Sequence, residues 1–384
     1  MSAPQNPRDS VVPRRQDFPF TSSPPPHPAR PLEMSSPPTT NPAPADTPAP
    51  AAVNPAPDII EAVDDDESDA DSALGQEEAS STASIESTIL QYRKFKGRSY
   101  HSAVHDTKYF LPIDDQTLEN FDLIHHFLTL MTDDKLHLAP IKPGASKILD
   151  VGTGTGIWAI DFADENPDIS VVGTDLSPVQ PTWIPPNLYF EIDDCTKQWT
   201  WDVATFDFVH IRYLFGSIKD WVALYKEAYR VLKPGAYLES VETEATYFSD
   251  DGTIANDGVT ALGGKFGEMF IEAGKITGNS MSLITDGTQV KAMKEAGFVD
   301  IQEVTYKLPI GAWPRDEKLA QIGNFAKQSL LGDLAGYLQL IWHQVVKWPP
   351  EEFENFLLQI RQELRNRRLH PYVKVRFVWG RKPE

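Results

Sequence analysis

One cysteine, Cys195, is the whole thiol content of the sequence. A disulfide within the chain is therefore excluded, which fits a reducing, intracellular setting. Positive charge is also short: 35 Lys and Arg stand against 55 Asp and Glu, a formal net charge of −20. That balance repels a phosphate backbone, so direct nucleic-acid binding is not expected. No apolar run reaches the roughly 18 residues that a membrane-spanning helix needs. The N-terminus carries no apolar core of a secretory signal, so no membrane association is expected. His, Cys, Asp and Glu do not fall at metal-ligand spacing, and no metal is expected.

Proline is plentiful but unevenly placed. Residues 1–57 hold 17 of the 32 prolines, with Ser, Thr, Ala and Asn between them. An acidic run follows, with Asp64-Asp65-Asp66-Glu67 at its centre. Residues 1–90 carry 4 Lys and Arg against 15 Asp and Glu, so more than half of the net negative charge sits there. Such a segment buries too little apolar surface to offset the entropy of ordering. A disordered, Pro-rich and then acidic tail is expected over 1–84, solvated in one reading and a docking segment for a basic partner in another. Order is expected to begin at Ser84–Tyr92, with one folded domain over 85–384.

Ile148–Trp158 reads Ile-Leu-Asp-Val-Gly-Thr-Gly-Thr-Gly-Ile-Trp. A buried strand, a tight turn and a helix start are expected here. Gly152, Gly154 and Gly156 let the backbone turn and approach a ligand, and the free N–H groups of the helix then face it. A dinucleotide fingerprint would read G-x-G-x-x-G. Here the spacing is G-x-G-x-G, with Asp150 before the first glycine. An acid there is awkward beside a pyrophosphate and suits the cationic amino-acid end of S-adenosylmethionine. Val171–Asp175 is a second strand ending in an acid, 19 residues after Gly156. Asp175 is placed to accept both hydroxyls of a ribose. NAD carries such a ribose too, so Asp175 alone does not separate the two cofactors. Asp150 and the glycine spacing disfavour an NAD-dependent oxidoreductase.

Five more strands are expected: Leu188–Ile192, Phe206–Ile211, Ala236–Val241, Asp300–Leu308 and Val373–Trp379, the last antiparallel to the one before it. Helices are expected over Leu118–Met131, Trp221–Leu232 and Thr288–Ala296, the second ended by a turn at Lys233-Pro234-Gly235 and the third capped by Gly297. Strands alternating with helices imply a parallel sheet whose ligands bind outside the strand C-termini. Asp150, Gly152, Asp175, Asp194 and His210 all fall at such ends. Asp194 reads either as an acceptor for an adenine amine or as a plain loop acid. His210 reads either as a catalytic base beside the cleft or as a structural histidine. Arg212 reads either as an anchor for an acidic substrate or as a partner of Asp207 or Glu242. A helical insert over 316–367, with Ile254–Lys275, is expected to cap the cleft or pack on the sheet. His125 and His126 read as helix residues, partly buried or at the surface.

These motifs resemble the class I S-adenosylmethionine-dependent methyltransferases and, within them, the fungal LaeA-like branch. The resemblance runs from about Tyr92 to Pro383. It rests on Gly97-Arg98-Ser99-Tyr100-His101, Leu111-Pro112, Leu149–Gly156, Phe206–Arg212, Leu232–Gly235, Pro309-Ile310-Gly311 with Trp313, and Gly380-Arg381-Lys382-Pro383. Asn120-Phe121-Asp122 departs from the branch's Arg-Leu-Asp, and Lys96 replaces an Asn before Gly97. The resemblance implies a Rossmann-like α/β fold, a seven-stranded, mostly parallel methyltransferase sheet with a helical cap. It implies S-adenosyl-L-methionine as cofactor, contacted by Asp150, Gly152, Gly154, Gly156, Asp175 and Asp194, with Tyr100 closing over the methionine end. The expected activity is methyl transfer to a small-molecule or protein acceptor, linked to secondary metabolism. The second reading is a nuclear regulatory subunit, bound to a protein partner, that controls secondary-metabolite genes.

Overall fold

A computed structural model describes residues 92–102, 109–254 and 260–384. The tail expected over 1–84 lies outside them, as does the start of order at Ser84–Tyr92 except Tyr92 itself. The chain enters through a hairpin, β1 (Tyr92–Phe95) and β2 (Arg98–Ser102). Lys96 and Gly97 form its turn, both at positive φ (48° and 81°), which matches the twist of the strands. Sequence patterning identifies this stretch only as basic and aromatic; Gly97 is the signal that marks the turn.

Five parallel strands follow: β3 (Lys147–Val151), β4 (Ser170–Asp175), β5 (Leu188–Ile192), β6 (Phe206–Arg212) and β7 (Leu232–Thr243). With β8 (Val299–Pro309) and β9 (Tyr372–Arg381) they form one sheet in the order β5-β4-β3-β6-β7-β9-β8. β9 runs antiparallel to both neighbours. Near-continuous apolar runs suit strands covered on both faces. Register then sorts the side chains: Ile148, Val171 and Phe208 are cross-strand neighbours in one core cluster, and Leu149, Val172 and Val209 are neighbours in the other.

Helices α1 (Asp115–Met131) and α2 (Ile157–Glu165) contribute to the first cluster, α3 (Trp221–Val231) and α5 (Thr288–Ala296) to the second, and α4 (Gly267–Thr277) to the first. On α3, Trp221, Leu224, Tyr225, Ala228 and Val231 form the buried stripe, at the spacing of one helix face. Asp220 caps that helix, its carboxylate accepting from Ala223 N at 2.9 Å. The turn expected at Lys233-Pro234-Gly235 is instead a bulge inside β7. Phe206 already pairs with Leu232, and Phe208 pairs with Tyr237. Four residues of β7, Lys233–Ala236, stand there against the single Asp207 of β6, with Gly235 at φ +72°, and a bulge is where a strand tolerates proline.

The insert is helical, as its periodicity predicts: α6 (Glu317–Gly332), α7 (Leu334–Leu340) and α8 (Phe353–Arg365). Phe353, Phe356, Leu357 and Ile360 are buried in the first cluster. Arg98 ties the hairpin to this insert. Its guanidinium donates to Asp114 (2.7 and 2.6 Å), to Asp333 (2.5 and 2.9 Å) and to Thr117 Oγ1 (2.9 Å). Asp333 in turn accepts from Gly336 N at the start of α7 (3.1 Å).

Buried Glu239 pins the segment after α1 to the sheet. Its Oε2 accepts from Leu138 N (2.8 Å) and Ala139 N (2.6 Å), while buried Oε1 has no partner. Burial pushes this carboxyl up to about 7, against the two donors that lower it. The folded state therefore keeps a proton that the unfolded chain releases near its ordinary pKa, about 4.3. Stability is greatest below that value and falls as pH rises through 7. Glu239→Gln keeps the shape without the charge and is expected to remove most of that fall, on the order of 3 kcal/mol. Urea melts at about pH 5 and pH 8 check it; a variant that loses as much stability as the parent would refute the assignment.

Candidate active site

A cavity of about 240 Å³ lies over the C-terminal ends of β3, β4, β6 and β7. The glycine loop forms one wall. Gly152 N and Thr153 N donate to Thr174 O at 2.8 and 2.9 Å, which fastens the loop to the end of β4. Gly154 sits at φ +58°, which favours glycine, and a Cβ on it would meet Phe121 at 3.6 Å, an ordinary van der Waals contact. Gly152 and Gly154 line the cavity. Gly156 does not, a correction to its expected role. A Cβ on it would lie 2.3 Å from Phe190 Cζ, so this glycine serves packing beneath α2.

Asp175 lines the cavity, as its strand-end position predicts. Its Oδ2 accepts from Gly154 N (2.9 Å) and its Oδ1 from Ser177 N (3.1 Å). Burial pushes the carboxyl up to about 6, despite these donors. Asp194 is turned away. Its Oδ1 accepts from Thr196 N (3.0 Å) and Thr196 Oγ1 (2.6 Å), a turn that its own side chain closes. Asp193 and Cys195 line the cavity in its place.

Asp150 and His210 meet each other rather than the cavity. Asp150 Oδ1 accepts from His210 Nδ1 (2.7 Å) and Oδ2 accepts from Thr153 Oγ1 (2.6 Å). The His210 ring stacks on Trp158 at 3.8 Å and 7° and is 1 % exposed. Burial pulls it down to about 4, although Asp150 raises it. The ring is therefore neutral near pH 7 and its Nδ1–H is spent on Asp150. This corrects the expectation of a base at position 210. The same correction applies to Tyr100, whose buried hydroxyl accepts from Gln339 Nε2 of α7 (3.1 Å). Its neighbour His101 faces the cavity instead, because successive strand residues point to opposite faces.

Arg212 lines the cavity at the end of β6. Neither expected partner holds it. Asp207 accepts from Lys233 Nζ (2.8 Å) and Ser146 N (2.9 Å), and Glu242 accepts from Leu214 N (3.1 Å) and Phe215 N (2.9 Å). Arg212 Nη1 donates to His125 Nδ1 (3.1 Å), and His125 Nε2 donates to Asp161 (2.8 Å). This chain of contacts aims a guanidinium into the cleft with no carboxylate salt-bridged to it among the described residues. His126 is exposed on the same helix. Nothing in the local sequence joins His125, Asp161 and Arg212, which come from α1, α2 and β6.

The methyltransferase-domain family profile matches residues 123–303. Methyltransferase pytC of Aspergillus terreus is 35% identical over 305 residues, 79% of this chain and 92% of its own. The chain is an S-adenosylmethionine-dependent methyltransferase. Secondary metabolism regulator LAE1 of Cochliobolus heterostrophus is 32% identical, over 75% of this methyltransferase and 94% of its own length. Protein-methionine methyltransferase laeA of Emericella nidulans is 30% identical, over 76% and 77%. The resemblance expected from the motifs is thus a family membership. Among the described residues, no group of three His, Cys, Asp or Glu is placed to hold a metal ion, and no helix is long and apolar enough to cross a membrane.

Proposed function

We propose that this methyltransferase holds its cofactor through Asp175, Gly152, Gly154 and Arg212, and methylates an acceptor of secondary metabolism bound beside Tyr213. The observation that carries the assignment is the convergence of these residues on one cavity. The residues fit the group: an oriented carboxylate for ribose hydroxyls, a positive-φ glycine in the cavity wall, and a cation lacking a salt-bridge partner for a carboxylate. The cofactor supplies an electrophilic methyl on a sulfonium. The chain's own residues then bind, orient and exclude water. Asp150 orients the loop through Thr153, and His210 orients Asp150. The apolar lining keeps water from the reacting atoms.

Calorimetry on the full chain tests this with S-adenosylhomocysteine, 5′-methylthioadenosine and NADH. Binding of the first, with none of NADH, supports it. Arg212→Gln is expected to weaken S-adenosylhomocysteine at least tenfold, the worth of a charge-assisted pair. It should leave 5′-methylthioadenosine, which lacks the carboxylate, unchanged. An equal loss for both ligands would mean a role in folding only.

A second reading is favoured by the name of the LAE1 relative, a secondary metabolism regulator. Here the chain acts inside the cell, in the nucleus, as a cofactor-binding regulatory subunit. Copurification of a protein partner, with no methyl transferred to any extract, would favour it.

A further inference from the structure

The cavity extends past Arg212 into a part that the proposed cofactor residues do not use. Its walls are aromatic. Phe110 meets Phe215 and Phe270 edge to face, each at 6.0 Å (69° and 74°), and Tyr247 meets Phe266 at 5.0 Å and 80°. Phe266 closes a π-helical turn, Leu262–Phe266, that runs straight into α4. Such turns are rare and recur at functional sites. The strand ends form one side of this chamber, and α4, α6 and α7 contribute residues to the other.

Two hydroxyls in these walls, of Tyr213 and Tyr247, have no hydrogen-bond partner among the described residues. Tyr247 is 5 % exposed. Burial raises both phenols above their ordinary range, so both stay protonated and can donate. Tyr213 also sits at φ +57°, a left-handed backbone that a bulky residue adopts only where its surroundings impose it. Here β7 imposes it. Tyr213 N donates to Val241 O (2.9 Å), and Glu242 holds the next two N–H groups. One carboxylate, Glu244, lines this part of the cavity. Its oxygens accept from Thr285 N (2.9 Å) and Thr285 Oγ1 (3.0 Å), which orients it and leaves lone pairs to spare.

A ligand complementary to these walls is apolar and aromatic, offers oxygens to two donors and offers one proton to an acceptor. We propose that the methyl acceptor is a small, flat hydroxylated aromatic ketone. Tyr213 and Tyr247 donate to its oxygens, and Glu244 takes the hydroxyl proton. The acceptor oxygen forms the bond to the methyl carbon as its proton passes to the Glu244 carboxylate. The carbon–sulfur bond breaks with its electron pair kept on sulfur, so the sulfonium ends as a neutral thioether beside a methyl ether. This assignment rests on the cofactor reading above.

The probe is 6-hydroxy-2-acetonaphthone, whose hydroxyl lies away from its ketone, titrated into the full chain saturated with S-adenosylhomocysteine. Binding is expected, with Tyr213→Phe and Tyr247→Phe each weakening it about fivefold, the loss of one hydrogen bond. Glu244→Gln should bind the probe but methylate it at least ~100-fold more slowly, with the rate recovering at high pH, where the hydroxyl is ionised in solution. A packing role for Glu244 would give no such recovery. S-adenosylhomocysteine affinity should be unchanged in all three variants. If the cofactor product binds and the probe does not, the acceptor class is wrong. Equal probe affinity in the Phe variants, or label passing only to a methionine-containing peptide, also overturns it. Failure to bind S-adenosylhomocysteine overturns the cofactor reading itself, and this proposal with it.

Discussion

Asp175→Ala is expected to abolish most cofactor affinity, a loss on the order of 3 kcal/mol or more. Two contributions add. A charged acceptor for two ribose hydroxyls disappears, and so does the group that holds Gly154 N and Ser177 N at 2.9 and 3.1 Å. The second loss loosens the loop around the cofactor. Asp175→Asn separates them, because its amide oxygen can still accept from one N–H. Calorimetry with S-adenosylhomocysteine checks both variants, which should fall in the order wild type, Asn, Ala. Wild-type affinity in the Ala variant would exclude Asp175 from the ribose site.

Arg98→Ala is expected to cost roughly 3–5 kcal/mol of stability, the usual result of removing one member of a buried ion pair. Arg98 is mostly buried, Asp333 almost completely so. Without the guanidinium, Asp114 and Asp333 face each other across the gap between α1 and α7 with no counter-charge. Arg98→Lys should recover little, since one ammonium cannot match the two bidentate contacts. Thermal melts of the full chain check this. The expected signature is a lower melting temperature for both variants, with S-adenosylhomocysteine affinity at saturating fold kept, because Arg98 does not line the cavity. Melting unchanged from wild type would mean that Arg98 is not the tie between hairpin and insert.

Arg98 also illustrates why part of this protein can be read from the chain and part cannot. Gly97-Arg98-Ser99-Tyr100-His101 is recognisable as a motif, yet its work is done by residues more than two hundred positions away. Asp333 takes the guanidinium and Gln339 takes the Tyr100 hydroxyl. Strand alternation then turns His101, not Tyr100, toward the cavity. Position 210 fails for a related reason. Ending a strand beside the cleft is a local property, but Trp158 covers the ring and Asp150 takes its proton donor. Both of those come from the neighbouring strand and helix.

Local chemistry alone settles the seven strands, the glycine loop, the placement of Asp175 and the helical character of the insert. Each depends on patterns within ten or so residues: apolar runs for strands buried on both faces, glycine where φ is positive, a 3.6-residue period for the cap. Folding in three dimensions decides the rest. It chooses Asp193 and Cys195 over Asp194, aims Arg212 through His125 and Asp161, and strains Tyr213 against β7. Side-chain direction at a strand end depends on which distant element packs there, and that information is not local to any stretch of the chain.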